Sequence, residues 1–363
     1  MAGEESRKLT VVEVRRETED AVSVVLEVPA GAEADFEFRP GQFLTLGVPS
    51  ERTGLVARCY SICVPPGEPL TVTVKRTVDG YASNWINDHL AAVDELRVLP
   101  PSGILTPRSL DDDLLLWAGG SGITPVMSIL RTVLEQGSGR VVLFYANRDE
   151  RSVIFAEALR ELAAAHPDRL QVVHWLESVQ GLPTQEQVKA FATPYAEWTS
   201  FCCGPAPFMA LVAASLKELG FPRARRHQEK FVSLGGNPFG DVEEVLAAQA
   251  TLAAADDADD PDEPAAPAIE GPVTVQVELD GKHYEYDDWD GTTPLLDFLE
   301  AKGVPAPFSC RAGECSACAC LVLEGDVTMK NNDVLEPEDL DEGLRLVCQS
   351  QAASEKLRIT YNG

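Results

Sequence analysis

Cations are scarce in this chain. Against 58 Asp and Glu there are 30 Lys and Arg in 363 residues, a net charge of −28. Nucleic-acid binding needs a basic face, so a uniform nucleic-acid binder is excluded. Long apolar runs are also lacking. No stretch approaches 18 apolar residues, and the polar start Met-Ala-Gly-Glu-Glu-Ser-Arg-Lys holds no apolar signal core. The expectation is a soluble, cytoplasmic monomer that does not engage a membrane. Histidine is sparse: His89, His166, His174, His227 and His283 are scattered, which fits surface or packing roles. Nine cysteines are too few for a disulfide scaffold, and the number is odd. Their placement is uneven, because Cys310, Cys315, Cys318, Cys320 and Cys348 fall in the last 54 residues. Clustered cysteine without a signal peptide points to metal rather than disulfides.

What is present suffices for a core, with 45% apolar residues and length for two or three domains. The acidity is local. Residues 1–240 carry a net −7, residues 271–363 a net −11, and residues 241–270 hold ten acidic side chains and no basic one. That middle stretch, rich in Ala, Asp, Glu and Pro, reads as an extended linker.

The first hundred residues read as short strands (Leu9–Val14, Val22–Val28, Phe43–Val48, Tyr60–Val64, Leu70–Val74, Leu96–Leu99) separated by Gly and Pro, with one helix at Ala82–Leu90. That grammar suggests a small antiparallel barrel. From about residue 111 strands alternate with helices: Leu114–Ala118, Ile123–Glu135, Val141–Tyr145, a helix marked by Ile154 to Leu162, Leu170–Trp175, Thr199–Cys203 and Pro207–Leu219. Alternation of this kind implies a parallel sheet with crossover helices. After the linker come a hairpin (Val273–Leu279, Asp280-Gly281, His283–Tyr286), a helix from Thr293-Pro294 with Thr293 as a weak cap, and a strand at Ala319–Leu323.

Cys310-Arg-Ala-Gly-Glu-Cys315-Ser-Ala-Cys318, with Cys348 thirty positions on, is the C-x4-C-x2-C…C spacing of a plant-type 2Fe-2S cluster. Four thiolates must converge on two irons, and the small Gly313, Ser316 and Ala317 let backbone N–H groups approach the sulfurs. A zinc site would use paired short spacings, often with His, and the lone Cys348 fits that poorly. Cys320 reads as a small buried thiol.

Further motifs lie upstream. Arg58-Cys59-Tyr60-Ser61, Val74-Lys75-Arg76 and Asp79-Gly80-Tyr81-Ala82-Ser83-Asn84-Trp85 follow one another in order. Gly119-Gly120-Ser121-Gly122-Ile123-Thr124-Pro125 sits between a buried strand and a helix, and Cys203-Gly204-Pro205-Ala206-Pro207-Phe208-Met209 ends a later strand. The first series resembles the R-x-Y-S and phosphate-loop motifs of the ferredoxin–NADP reductase superfamily; the second resembles its G-x-G-x-T-P and C-G-P-x-x-M motifs. The resemblance implies FAD bound by Arg58, Cys59, Tyr60, Ser61, Val74, Lys75, Gly80, Ala82, Ser83 and Asn84. It implies NADH bound by Gly120, Gly122, Thr124, Arg148, Cys203, Gly204 and Pro205. Tyr60, Ser61, Thr124 and Cys203 would flank the reacting atoms, Phe231 would cover the flavin, and Cys202 would lie in the core. Arg148, Arg151 and Ser152 leave NADPH open beside NADH.

The implied fold is multidomain: an antiparallel β-barrel flavin domain (1–107), an α/β parallel-sheet nicotinamide domain (108–240), the linker (241–270) and an α+β β-grasp ferredoxin domain (271–363). The layout is shared by oxygenase reductases. Pro49–Gly54, Tyr145–Phe155, His174–Ser178, Asn332–Leu335 and Asp339–Gly343 resemble the reductases of 3-ketosteroid 9α-hydroxylases, with the phenylacetyl-CoA epoxidase reductases as the alternative. A nicotinamide yields two electrons as hydride, a plant-type cluster takes one, and a flavin does both. The resemblance therefore implies electron flow from NADH through FAD and the cluster to a Rieske-type oxygenase. A non-catalytic redox sensor of the same layout stays open; rapid bleaching by NADH would tell the two apart.

Overall fold

The computed structural model describes residues 6–50, 54–231, 238–239, 269, 272–279 and 281–361. Apart from Ile269, the expected linker lies outside them.

The N-terminal sheet holds β1 (Arg7–Thr18), β2 (Ala21–Glu27), β3 (Phe43–Ser50), β4 (Gly54–Ser61), β5 (Thr71–Lys75) and β6 (Glu95–Ser102), in the antiparallel order β4-β3-β6-β1-β2-β5. The two edge strands meet where Ile62 bridges Val72 beyond the end of β4, which closes the sheet towards a barrel. β4 begins six residues before the expected Tyr60–Val64 and stops at Ser61. Arg58 and Cys59 interrupt the apolar pattern, and pairing with β3 supplies what local pattern withholds. α1 (Tyr81–His89) follows β5.

The middle domain has a parallel sheet ordered β11-β10-β7-β8-β9. Its strands are β7 (Leu114–Gly119), β8 (Val141–Asn147), β9 (Leu170–Leu176), β10 (Thr199–Cys203) and β11 (Arg226–Glu229), and its helices α2 (Ile123–Gln136), α3 (Ala156–Ala165), α4 (Glu177–Gln180), α5 (Gln185–Ala192) and α6 (Ala206–Glu218). β7 is buried at every position, as expected of a central parallel strand. β11, α4 and α5 are short or polar and carry no strong periodic signal. One apolar cluster runs from barrel residues such as Leu46 and Val72 into Val126, Ile129 and Leu130 of α2. Ser128 donates to the carbonyl of Val64 at 2.7 Å across the same seam. The first two domains thus share a core.

The C-terminal domain contains β12 (Val273–Leu279), β13 (Lys282–Trp289), α7 (Leu295–Ala301), β14 (Ala319–Glu324), β15 (Val327–Met329), α8 (Pro337–Asp341), β16 (Leu344–Leu346), β17 (Ser350–Ala352) and β18 (Lys356–Thr360). Its main sheet is ordered β13-β12-β18-β14-β16, with β12 and β18 parallel, and it encloses its own core around Trp289, Leu296 and Ile359. Thr293 does not cap α7: its hydroxyl donates to Asp290 at 2.7 Å, and Pro294 occupies the cap position. β15 to β18 are too brief for periodicity to reveal.

Candidate functional site

The R-x-Y-S segment lies at the end of β4, and β5, α1 and the start of α2 close around it. Arg58, Cys59, Tyr60, Ser61, Lys75, Gly80, Ala82, Ser83, Thr124 and Phe231 all line one cleft of about 230 Å³. The structure therefore brings together motifs spread over more than 170 positions of the chain.

Several side chains are poised there. Ser61 is 2% exposed, and its hydroxyl finds no hydrogen-bond partner among the described residues. A buried polar group without a partner is costly, so the site suits a ligand that supplies one. Ser83 accepts the N–H of Thr77 at 3.0 Å and so fixes the loop entering α1. The Thr124 hydroxyl donates to the Ser121 carbonyl at 3.1 Å. Tyr60 is half-buried at the cleft wall, and burial pushes its phenol upward. Phe231 is 49% exposed beside the cleft, as an apolar cover would be. Tyr81, not singled out from the sequence, also lines the cleft and donates to the Pro49 carbonyl at 2.8 Å.

Other expected residues sit elsewhere. The Val74 side chain is fully buried in the barrel core rather than on the cleft. Asn84 spends its amide on the carbonyls of Thr77 and Gly80, holding the loop together. Arg148 is largely exposed and pairs at 3.2 Å with Asp20, which also meets Lys75 at 3.7 Å. The Ser152 hydroxyl donates to the Asp149 carbonyl at 2.8 Å within a capping box, so it is not available to a 2′-phosphate. Gly122 and Gly204 serve close packing: a Cβ on Gly122 would stand 2.1 Å from the Cys203 carbonyl, and one on Gly204 3.0 Å from the Gly119 backbone. Gly120, at φ +52°, needs glycine for its conformation and opens towards Lys75. A Cβ on Gly119 would meet Pro205 at 2.8 Å, which ties the two loops together at the carboxyl ends of β7 and β10. Cys203 is fully buried there, and Cys202 lies in the core on the other face.

Glu229 escaped the sequence reading. It ends β11 in register with Cys203, is 8% exposed, and neither carboxylate oxygen has a partner among the described residues. Burial pushes its carboxyl up to about 8. It shares a small cavity of about 30 Å³ with Phe43, Cys59, Ser61, Phe231 and the cluster-loop residues Glu314, Cys315 and Ser316. Its short polar strand gave no periodic clue, and an Asp or Glu before Lys is ordinary on a surface.

Cys310, Cys315, Cys318 and Cys348 are buried together. Cys310 contacts Cys315 and Cys348, and Cys348 contacts Cys318. The backbone N–H of Ala312 donates to the Cys310 sulfur at 3.4 Å, and such amides stabilise a charged cluster. Neighbouring thiols and these amides hold the Cys310 thiol well below its ordinary value. Gly313, at φ +75°, lies against the Asn331 carbonyl where a Cβ would be 2.6 Å away. Buried Arg311 anchors the loop to Asp297 at 3.0 Å and to Glu300. Cys320 packs in the domain core on β14, and burial raises its thiol.

The flavin-type motif and the cluster loop touch. Thr45, opposite Cys59 on β3, shares a 2.7 Å hydrogen bond with Ser309, the residue before Cys310. Cys59 Sγ stands 3.9 Å from the same hydroxyl.

Residues 277–353 match the 2Fe-2S iron-sulfur cluster binding domain family, and residues 116–214 the oxidoreductase NAD-binding domain family. The chain is 52% identical over 361 residues to the ferredoxin reductase component of 3-ketosteroid-9-alpha-monooxygenase from Rhodococcus rhodochrous, covering 99% of this chain and 98% of that one. The chain belongs to that family of reductase components. It is an oxidoreductase that carries FAD, a 2Fe-2S cluster and a nicotinamide site. A more distant relative, 31% identical over 98% of this chain and 97% of its own length, is a component of the 1,2-phenylacetyl-CoA epoxidase of Escherichia coli. Among solved structures, phthalate dioxygenase reductase shares the fold, at a TM-score of 0.55, 22% identity and 98% coverage of both chains. No helix of the described residues is long and apolar enough to cross a membrane.

Proposed function

We propose that this chain takes electrons from NADH and delivers them singly to a Rieske-type terminal oxygenase that hydroxylates 3-ketosteroids at carbon 9. The observation that carries the electron route is the 2.7 Å Thr45–Ser309 contact, which sets β3, the strand paired with the R-x-Y-S segment, against the residue preceding a cluster ligand. The near full-length likeness to 3-ketosteroid-9-alpha-monooxygenase reductase components supports the substrate class.

FAD supplies the conversion of a two-electron hydride into single-electron transfers. In this reading Arg58, Lys75 and the backbone at Gly80, Ala82 and Ser83 hold its phosphates, where α1 presents free N–H groups. Tyr60, on the cleft wall, would pack on the flavin ring. Ser61 offers its unpartnered hydroxyl to the reacting edge. Thr124 and Cys203 shape the nicotinamide side and exclude water, and Phe231 yields when the nicotinamide enters. Arg148 and Gly120 lie toward the dinucleotide phosphates. The commitment of Ser152 to Asp149 favours NADH over NADPH. Cys310, Cys315, Cys318 and Cys348 ligate the cluster, and Cys320 does not.

The test is reconstitution with purified oxygenase components. Hydroxylation of a 3-ketosteroid, with no epoxidation of phenylacetyl-CoA by the matching epoxidase, is expected. Turnover only with the phenylacetyl-CoA system would reverse the assignment.

A further inference from the structure

Among the described residues, two contacts of the C-terminal domain with the rest of the chain stand out. One is the cluster loop: Cys310, Cys315 and Ala317 pack with Phe43, Ala57, Leu99 and Phe239, beside the Thr45–Ser309 contact. Cys310 and Cys315 are 1% and 7% exposed, so an outside acceptor cannot reach them from this side. The other place is a concentration of charge on the middle domain. Glu336 and α8 present three carboxylates to four cations from α6, the turn after it, β11 and Lys230. Glu338 meets Lys217 at 2.6 Å and Arg226 at 2.8 Å; Arg223 bonds Asp339, and Lys230 bonds Glu336. A capping box at Glu336 and Asp339 fixes the turn that carries these acids. The ion pairs rim a cleft of about 560 Å³ between the two domains.

A permanent interface would need a broad apolar seal. Apart from the largely buried Arg223–Asp339 pair, these are partly exposed ion pairs, which contribute about 1 kcal/mol each at most and weaken with salt, so the contact can open. Four cations gathered on one patch also stand out in a chain of net charge −28.

We propose that Lys217, Arg223, Arg226 and Lys230 form a docking site for the ferredoxin domain, and that Glu336, Glu338 and Asp339 are exchanged between this site and a basic surface on the oxygenase. This rests on the reading that an oxygenase is the acceptor. The same carboxylates serve both contacts, so loading and delivery exclude one another. With FAD and the cluster bound, each docking would permit one single-electron transfer, so the two electrons of one NADH would require two cycles.

Two holoprotein variants test this, K217E/R226E and E336Q/E338Q, with cytochrome c as the basic one-electron acceptor. In both, stopped-flow mixing with NADH should leave flavin reduction unchanged and slow cluster reduction about tenfold, the loss of one or two such pairs. Small-angle scattering should show a larger radius of gyration. The KM for cytochrome c should rise severalfold in E336Q/E338Q and stay level or fall in K217E/R226E, where the acids are freed. Adding E338K to K217E/R226E should restore compactness and cluster reduction. Unchanged scattering and cluster reduction in both variants would overturn the docking site. A KM that rises alike in both would overturn the exchange. Failure of the electron route itself would appear differently, as a parent protein whose cluster NADH does not reduce.

Discussion

At the scale of single residues, the thiols and the unpartnered buried groups carry the chemistry. Cys348→Ser should abolish the visible iron–sulfur spectrum while flavin stays bound, because Cys348 lies in the ferredoxin domain's own core. A surviving cluster of normal spectrum would make Cys320 the fourth ligand. Glu229 gives a pH prediction. Its folded carboxyl titrates near 8, above the ordinary value of 4.5, so the folded state binds the extra proton. Stability from this group is therefore complete below about pH 4.5 and is lost as pH rises toward 8. In flavin-stripped protein, Glu229→Gln should remove that loss, on the order of 4 kcal/mol at pH 8. Thermal melts at pH 5 and pH 8 check it; equal pH dependence in parent and variant would refute the buried, unpaired carboxylate. Motif residues such as Arg58, Tyr60 and Ser61 were legible because their types and order are distinctive. Glu229 was not, because its role depends on a strand pairing that brings Cys203 opposite it.

Strands and helices were legible in proportion to their apolar pattern. β10 appears at Thr199–Cys203 as expected, and α2 differs by one residue at its end. β11 and β15 to β18 were missed, since strands of three to five residues are held by their neighbours rather than by their own propensity. The loops after β7 and β10 show the same dependence. Their glycines read as part of the nicotinamide site, and Gly122 and Gly204 also permit two backbones to touch. Gly122→Ala would place a Cβ 2.1 Å from the Cys203 carbonyl, so backbone must move. The expected result is a loss of about 2–4 kcal/mol in stability together with weaker NADH binding, read by denaturant unfolding and by titration.

At the scale of the whole molecule, the barrel and the middle domain share one core, while the ferredoxin domain keeps its own. A chain ending near residue 240 should therefore keep flavin and reduce ferricyanide from NADH, but lose cytochrome c reduction. Undiminished cytochrome c reduction would disprove the route through the cluster. The acidity that first excluded nucleic acid has acquired an address. Part of it lies on Glu336, Glu338 and Asp339, and in this structure those groups face cations of the same chain rather than solvent alone.

By itself the sequence determined the parallel and antiparallel sheets and singled out the four thiols that the structure buries together. Each of these rests on local spacing: periodicity of burial along a strand or helix, and the short reach of a loop that wraps two irons. Only the tertiary structure decided that Ser309 meets Thr45, that Glu229 is buried without a partner among the described residues, and that α8 lies on Lys217 and Arg226. Those contacts join residues more than a hundred positions apart or depend on which strand lies beside which, and no local pattern encodes such a meeting.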